Sequence, residues 1–284
     1  MTTRPKPYSP HSRPNSAHAW HHFHYDEPKS PVKQRKSIKN HFIAASGEFV
    51  GTVMFLYFGF STHLMAVDQA SSVAQSDGTN SAQTVVFISL GYGFSLLVTA
   101  WGWYRISGGL FNPAVTLGLC TAGKLPWIRG LFLFPAQILG AMSAAALVSC
   151  MFPGPISTVT TTLAPGVSIV QGVFIEMFLT ALLIFIILML AAEKSKDTFI
   201  APIGIGLTLF VAELAGVYYT GASLNPARSF GPCVAARSFV GYHWIYWVGP
   251  LLGALVSAGY FRFIKYFEYR EANPGQDSAH TPDE

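Results

Sequence analysis

The chain has 284 residues, of which 51% are apolar and only 32 (18 Lys and Arg, 14 Asp and Glu) are charged. Between Asn40 and Tyr260 just fourteen of 221 positions carry charge, whereas about a quarter of residues do in soluble domains, so an ordinary soluble domain is excluded. The apolar content also excludes a disordered chain, and the 26 glycines follow no triplet period, which leaves an integral membrane protein. Taken in order, residues 1–41 are polar and rich in Pro, Ser and His, lack the apolar stretch of a signal peptide, and are expected to form a disordered arm. Six stretches then approach the roughly 20 apolar residues that cross a bilayer. They lie at about 42–66, 84–103, 127–152, 169–192, 199–220 and 243–267. One channel-sized domain over 42–267 follows, with a short polar tail at 268–284.

An even number of spans puts both termini on one side, which the distribution of Lys and Arg can assign. The N-terminal arm carries eight, the second loop three (Arg105, Lys124, Arg129), the fourth two (Lys194, Lys196) and the chain's end three (Arg262, Lys265, Arg270). The opposite side has Arg228 and Arg237 alone. Both termini are therefore expected in the cytoplasm, and the net charge of +4 reflects topology rather than a nucleic-acid partner.

The chain also matches itself. Ser107-Gly108-Gly109-Leu110-Phe111-Asn112-Pro113-Ala114-Val115-Thr116-Leu117-Gly118 aligns without gaps to Thr220-Gly221-Ala222-Ser223-Leu224-Asn225-Pro226-Ala227-Arg228-Ser229-Phe230-Gly231. Glu48 and Thr52 recur as Glu176 and Thr180, and Leu139-Gly140-Ala141 as Leu252-Gly253-Ala254. Each repeat, 42–152 and 169–267, holds three spans, so the two copies must run in opposite directions through the membrane, a plan that places a solute site at the midplane. Asn favours the N-cap and Pro the first helical position, so Asn112 and Asn225 each start a short helix, through about Thr121 and Ala236. About ten residues span about 15 Å, half a bilayer. The Gly-rich backbone before each Asn is tolerated at that depth only against protein or water, and two such half-helices would oppose cations with their positive ends.

Two Asn-Pro-Ala boxes, an Arg after the second, a Glu in the first span of each half and six spans together resemble the aquaporin family over residues 42–267. The resemblance implies an all-α membrane protein of six transmembrane helices plus two re-entrant half-helices in an inverted 3+3 repeat, an aquaporin-like right-handed bundle. It implies a channel passing water in single file while excluding protons and ions, with hydrogen peroxide as a further solute, and a homotetramer in the plasma membrane with no cofactor, metal or nucleic acid. Asn112, Pro113, Ala114, Asn225, Pro226 and Ala227 would form the pore boxes. Glu48 and Glu176 would satisfy the loops before the half-helices, since buried backbone donors need acceptors. By the family's spacing the selectivity filter is Tyr92, Glu213, Ala222 and Arg228, where Tyr92 replaces a usual Phe and Glu213 stands where water-selective members carry His. Glu213 is expected to face Arg228 as a direct ion pair. Ser229, Tyr246-Trp247 and the absence of an insertion between Asn225 and Trp244 resemble the water-conducting group, whereas Cys233 departs from it.

Other features have simpler readings. Gly47/Gly51, Ala136/Gly140 and Gly249/Gly253 are small pairs at one-turn spacing that let helices cross closely. Arg105 is a candidate gate or a plain positive-inside residue. His18 to His24, Ser9-Pro10, Ser30-Pro31 and Arg35-Lys36-Ser37 suggest metal binding, pH sensing or phosphorylation of the arm, against the blander reading of a solvated tail. The three cysteines are too few for a disulfide framework. An enzyme is disfavoured: no metal-spaced His cluster or nucleophile with a base lies in the spans, and no catalytic residue is assigned. The alternatives to a water channel are a channel for glycerol or urea and an adhesion or scaffold protein with a vestigial pore.

Overall fold

The computed structural model describes residues 31–73, 82–193 and 196–274. His18 to His24, Ser9, Ser30 and the end of the tail at 275–284 lie outside the described residues. Among the described residues all regular structure is helical: α1 (Pro31–Val73), α2 (Ala82–Trp103), α3 (Pro113–Thr121), α4 (Trp127–Met151), α5 (Ile169–Ile187), α6 (Ala201–Thr220), α7 (Pro226–Ala235), α8 (Ile245–Tyr266) and α9 (Tyr269–Ala272). Six of these are long and apolar enough to cross a membrane. The half-helices α3 and α7 end within a residue of their expected limits.

Helix α1 departs furthest from its expected bounds. Its 43 residues reach about 65 Å, twice a bilayer core. Hydropathy marks only the immersed part of such a helix; neither Gly nor Pro interrupts the chain between Pro31 and Gly47 or between Ser61 and Val73, so nothing stops it at the membrane surface. Residues 31–41, expected to belong to the arm, are thus helical, and α9 gives the tail one further turn. Helix α5 starts on a capping box, with Ser168 Oγ accepting from Gln171 N–H at 3.2 Å and Gln171 Oε1 accepting from Ser168 N–H at 2.8 Å. Its last turn widens into a π segment, Leu188–Ala192.

The helix contacts repeat between the halves. α1 packs on α2 and α4 as α5 packs on α6 and α8; α7 of the second half leans on α4 of the first, as α3 leans on α8; α2 and α6 meet across the pseudo-axis. Gly140 and Gly253, equivalent in the repeat, make two of these crossings possible. A Cβ at Gly140 would come within 2.8 Å of the Phe49 carbonyl on α1, and one at Gly253 would meet the Met177 carbonyl and lie 2.9 Å from Ala181 N on α5. The small residues thus serve crossings within one chain.

Candidate pore and its constriction

Each half-helix is built by its own Asn. Asn112 Oδ1 accepts from Ala114 N–H at 2.8 Å and Val115 N–H at 3.4 Å; Asn225 Oδ1 accepts from Ala227 N–H at 3.0 Å and Arg228 N–H at 3.4 Å. Pro113 and Pro226 follow at the first helical position, and Pro113, Ala114, Pro226 and Ala227 are all buried. The amide nitrogens reach the other half: Asn112 Nδ2 donates to Leu224 O at 2.8 Å and Asn225 Nδ2 to Phe111 O at 2.9 Å. The two half-helices are thereby clasped end to end, and each Nδ2 keeps a second hydrogen. Both Asn residues line the central cavity.

The clasp needs unusual backbone. Phe111 and Leu224, each just before its Asn, lie in the left-handed region at φ 53° and 50°, which is strained for a bulky residue. Two buried carboxylates hold them there. Glu48 accepts from Ser107 Oγ (2.7 Å), Leu110 N–H (3.0 Å), Phe111 N–H (2.7 Å) and Gln137 Nε2 (2.8 Å). Glu176 accepts from Thr220 Oγ1 (2.7 Å), Ser223 N–H (2.8 Å) and Leu224 N–H (2.9 Å). Tyr246 Oη adds a bond to Thr220 O at 2.9 Å on the second side. Ser229 joins the hydroxyls of Thr161 (2.8 Å) and Ser223 (2.6 Å) behind α7.

A cavity of about 900 Å³ runs between the halves. At one mouth it is lined by Arg105, Lys124, Arg129, Lys265 and Arg270. Asn40 lies there too, so the start of α1 and the end of α8 share this side. Arg105 is exposed at that mouth. A single acid, Glu193, organises the charges, accepting from Lys124 (3.1 Å), Lys265 (2.7 Å) and Arg270 (2.7 Å). Burial alone would raise the proton affinity of Glu193, but the ammonium groups of Lys265 and Lys124 outweigh it and hold its carboxyl below the usual range.

At the other end the cavity closes on Tyr92, Glu213 and Arg228, which are 0%, 1% and 1% exposed. Three of the four expected filter residues thus converge. Ala222, the fourth, does not line the cavity: it is fully buried, its Cβ set against Gly216 of α6. The expected ion pair between Glu213 and Arg228 is also absent. Arg228 is held from elsewhere, with Nη1 donating to Val159 O at 2.7 Å and Nη2 lying 3.5 Å from Gly221 O. Its guanidinium stands 4.7 Å from the Tyr92 ring centre and 5.8 Å from that of Phe60. Val159 ends a short 3-10 turn, Ile156–Val159, in a loop whose residues carry no motif for this contact. Glu213 Oε2 and Arg228 Nε are each buried without a partner. One further side chain belongs here and was not a sequence candidate: His63 Nδ1 lies 3.4 Å from Tyr92 Oη and 3.5 Å from Arg228 Nη2. A lone His in an apolar span, 165 residues from Arg228, was its only signal.

Six spanning helices, two half-helices clasped at their N-termini and a cavity threading between inverted halves define a membrane-embedded channel. Residues 34–261 match the family described as Major intrinsic protein, and the chain belongs to that family, whose members are channels and not enzymes. It is similar to "Probable aquaporin-3" of Gibberella zeae, with 63% identity over 238 residues, 84% of this chain and 83% of the relative. It is also 56% identical to "Aquaporin-7" of Botryotinia fuckeliana over 93% of this chain, spanning 56% of that relative's length. Its fold resembles the X-ray structure of the aquaglyceroporin from Plasmodium falciparum, with a TM-score of 0.65 and 22% identity, covering 79% of this chain and 95% of the other.

Proposed function

We propose that the channel conducts water in single file down osmotic gradients and excludes ions and protons. The observation that carries this reading is the cavity itself, which passes both Asn amides before reaching Tyr92, Glu213 and Arg228. The spare hydrogen on each Nδ2 donates to a passing water oxygen from opposite halves, so the water at the centre turns both of its own hydrogens outward and no proton wire crosses it. The facing positive ends of α3 and α7, with Arg228 beyond them, repel cations. Ser229 supports a water channel: its hydroxyl network occupies a position where glycerol-conducting relatives carry Asp. The basic mouth faces the cytoplasm, the constriction faces outward, and the chain assembles as a homotetramer in the plasma membrane with a pore in each protomer.

A second reading has one observation in its favour. Glu213 keeps a carboxylate oxygen without a partner beside the constriction, and Ala222 adds no bulk there, which suits hydrogen peroxide or a small polyol. Stopped-flow light scattering on proteoliposomes separates the two. Under a sucrose gradient, vesicles containing the protein shrink well ahead of protein-free vesicles. Glycerol and urea gradients then rank the slower solutes by the rate of re-swelling. Shrinkage no faster than that of protein-free vesicles refutes the proposal.

A further inference from the structure

Glu213 and Arg228 sit at one constriction, almost wholly buried and of opposite formal charge, and yet make no ion pair. Glu213 Oε2 is a buried acceptor without a donor, and Arg228 is a buried donor lining the same cavity, so something must hold the guanidinium elsewhere. The Arg228 guanidinium has three polar contacts: the carbonyls of Val159 and Gly221, which are backbone, and the His63 ring nitrogen, which is a side-chain acceptor. Chemistry fixes how His63 holds it. A guanidinium has donors and no acceptor, so the contact from Arg228 Nη2 requires Nδ1 to be the unprotonated nitrogen of a neutral imidazole, with the ring proton on Nε2. The Tyr92 hydroxyl, 3.4 Å from the same Nδ1, is then also a donor to it, while the Tyr92 ring supports the guanidinium from its face. One nitrogen thus positions both Tyr92 and Arg228.

We propose that His63 is a fifth determinant of the constriction, a neutral acceptor that competes with Glu213 for Arg228 and keeps a Glu213–Arg228 pair from closing the lumen. The inference rests on reading the cavity as the solute path. Without an acceptor at position 63, Nη2 keeps only the distant Gly221 carbonyl, and the buried acid oxygen still seeking a donor is Glu213 Oε2. The pair would then form at the end of the cavity that both residues line. His63 acts through Arg228, so it is a positioning residue.

Two replacements separate an acceptor from a spacer. His63→Phe keeps an aromatic ring and removes the acceptor; His63→Asn removes much of the ring but places Oδ1 near the position of Nδ1. Full-length protein is reconstituted in liposomes and its water permeability per assembled channel is measured. Permeability is expected to fall several-fold in His63→Phe, to stay close to the parent in His63→Asn, and to recover in His63→Phe/Glu213→Gln, where the competing charge is gone. A His63→Phe channel as fast as the parent overturns the inference, as does a double variant as slow as His63→Phe. If His63→Phe fails to fold, His63→Leu takes its place. If that also fails, recovery of the folded tetramer by Glu213→Gln supports the competition and its absence overturns it. A parent no faster than protein-free vesicles overturns the channel reading and this inference with it, whereas a conducting parent with indifferent variants overturns the inference alone.

Discussion

Replacing either box Asn by Asp changes one atom and tests the clasp between the halves. In Asn225→Asp the cap survives, because Oδ1 still accepts from Ala227 and Arg228, and a negative charge at a helix N-terminus gains about 0.3–1 kcal/mol, up to about 2 when partly buried. The other side of the residue loses. Nδ2, which donates to Phe111 O at 2.9 Å, becomes an oxygen facing that carbonyl, leaving a buried acceptor unpaired at about 1–3 kcal/mol and adding repulsion. The net expectation is a loss of about 1–2 kcal/mol, roughly a tenfold change in the folding equilibrium. Asn112→Asp loses the matching bond to Leu224 O at 2.8 Å, but no Arg follows it on α3, so it should cost more by about 1 kcal/mol. Stability is read by denaturant unfolding in detergent, and conduction by paired water and cation flux in proteoliposomes. Both variants should conduct less water or admit cations, because an acid now sits where the positive ends of α3 and α7 meet. Two Asp variants as stable as the parent, with unchanged water flux and no cation leak, would refute the cross-bonds as structural ties and the central placement of the Asn pair.

Glu193→Gln should destabilise the channel by about 1–2 kcal/mol at neutral pH, since it removes the common partner of three partly exposed cations. Because the folded carboxyl binds its proton more weakly than an unfolded one, the contribution is present above the ordinary glutamate value and is lost as pH falls through the lower folded value. Parent and variant should therefore converge in thermal stability in acid, and a gap that persists there would count against the hub. Organomercurials should leave water flux unchanged, because Cys120 and Cys233 are buried, Cys150 is exposed and none lines the cavity. Block that survives removal of all three thiols would show a different site of action. Glu213→His should keep water flux and lower the glycerol to water ratio, and equal ratios in the two proteins would show that Glu213 does not set selectivity.

The frame of the fold was legible because its signals are local. Asn followed by Pro specifies a helix start whatever lies around it, so the onset of α3 and α7 could be read from single tripeptides. The acids Glu48 and Glu176 were legible for a different reason: an ionisable residue in an apolar span demands partners, and the resemblance to the family pointed to the loops before each Asn as those partners. The constriction was harder. The resemblance to the family pointed to Tyr92, Glu213 and Arg228 as a group, but the choice of partner for Arg228 turned on backbone carbonyls at Val159 and Gly221, which every residue type possesses and no motif marks. The Glu193 hub was hidden similarly. Its partners lie 69 to 77 residues away, and the sequence shows only a charged turn.

The internal repeat also shows where the two halves of the channel diverge. An offset of 113 residues maps Tyr92, Glu213, Ala222 and Arg228 onto Ile205, Ala100, Gly109 and Val115. These four counterparts line the cavity on the side of the basic mouth. They are small or apolar, with no charge and no long polar side chain. The bonds that shape the backbone are nearly the same in both halves: an acid holds a left-handed residue, an Asn caps a helix, and an amide crosses to the other side. Symmetry is thus kept where the chain must be folded back at membrane depth, since unsatisfied backbone there has the same cost in either half. It is broken at Tyr92, Glu213 and Arg228, whose counterparts are Ile205, Ala100 and Val115. On the proposed function, a second ring like Tyr92, Glu213 and Arg228 at the other end would add another desolvation barrier in series with the first. On the proposed function, the substitutions that separate the two repeats mark the side of the channel that selects.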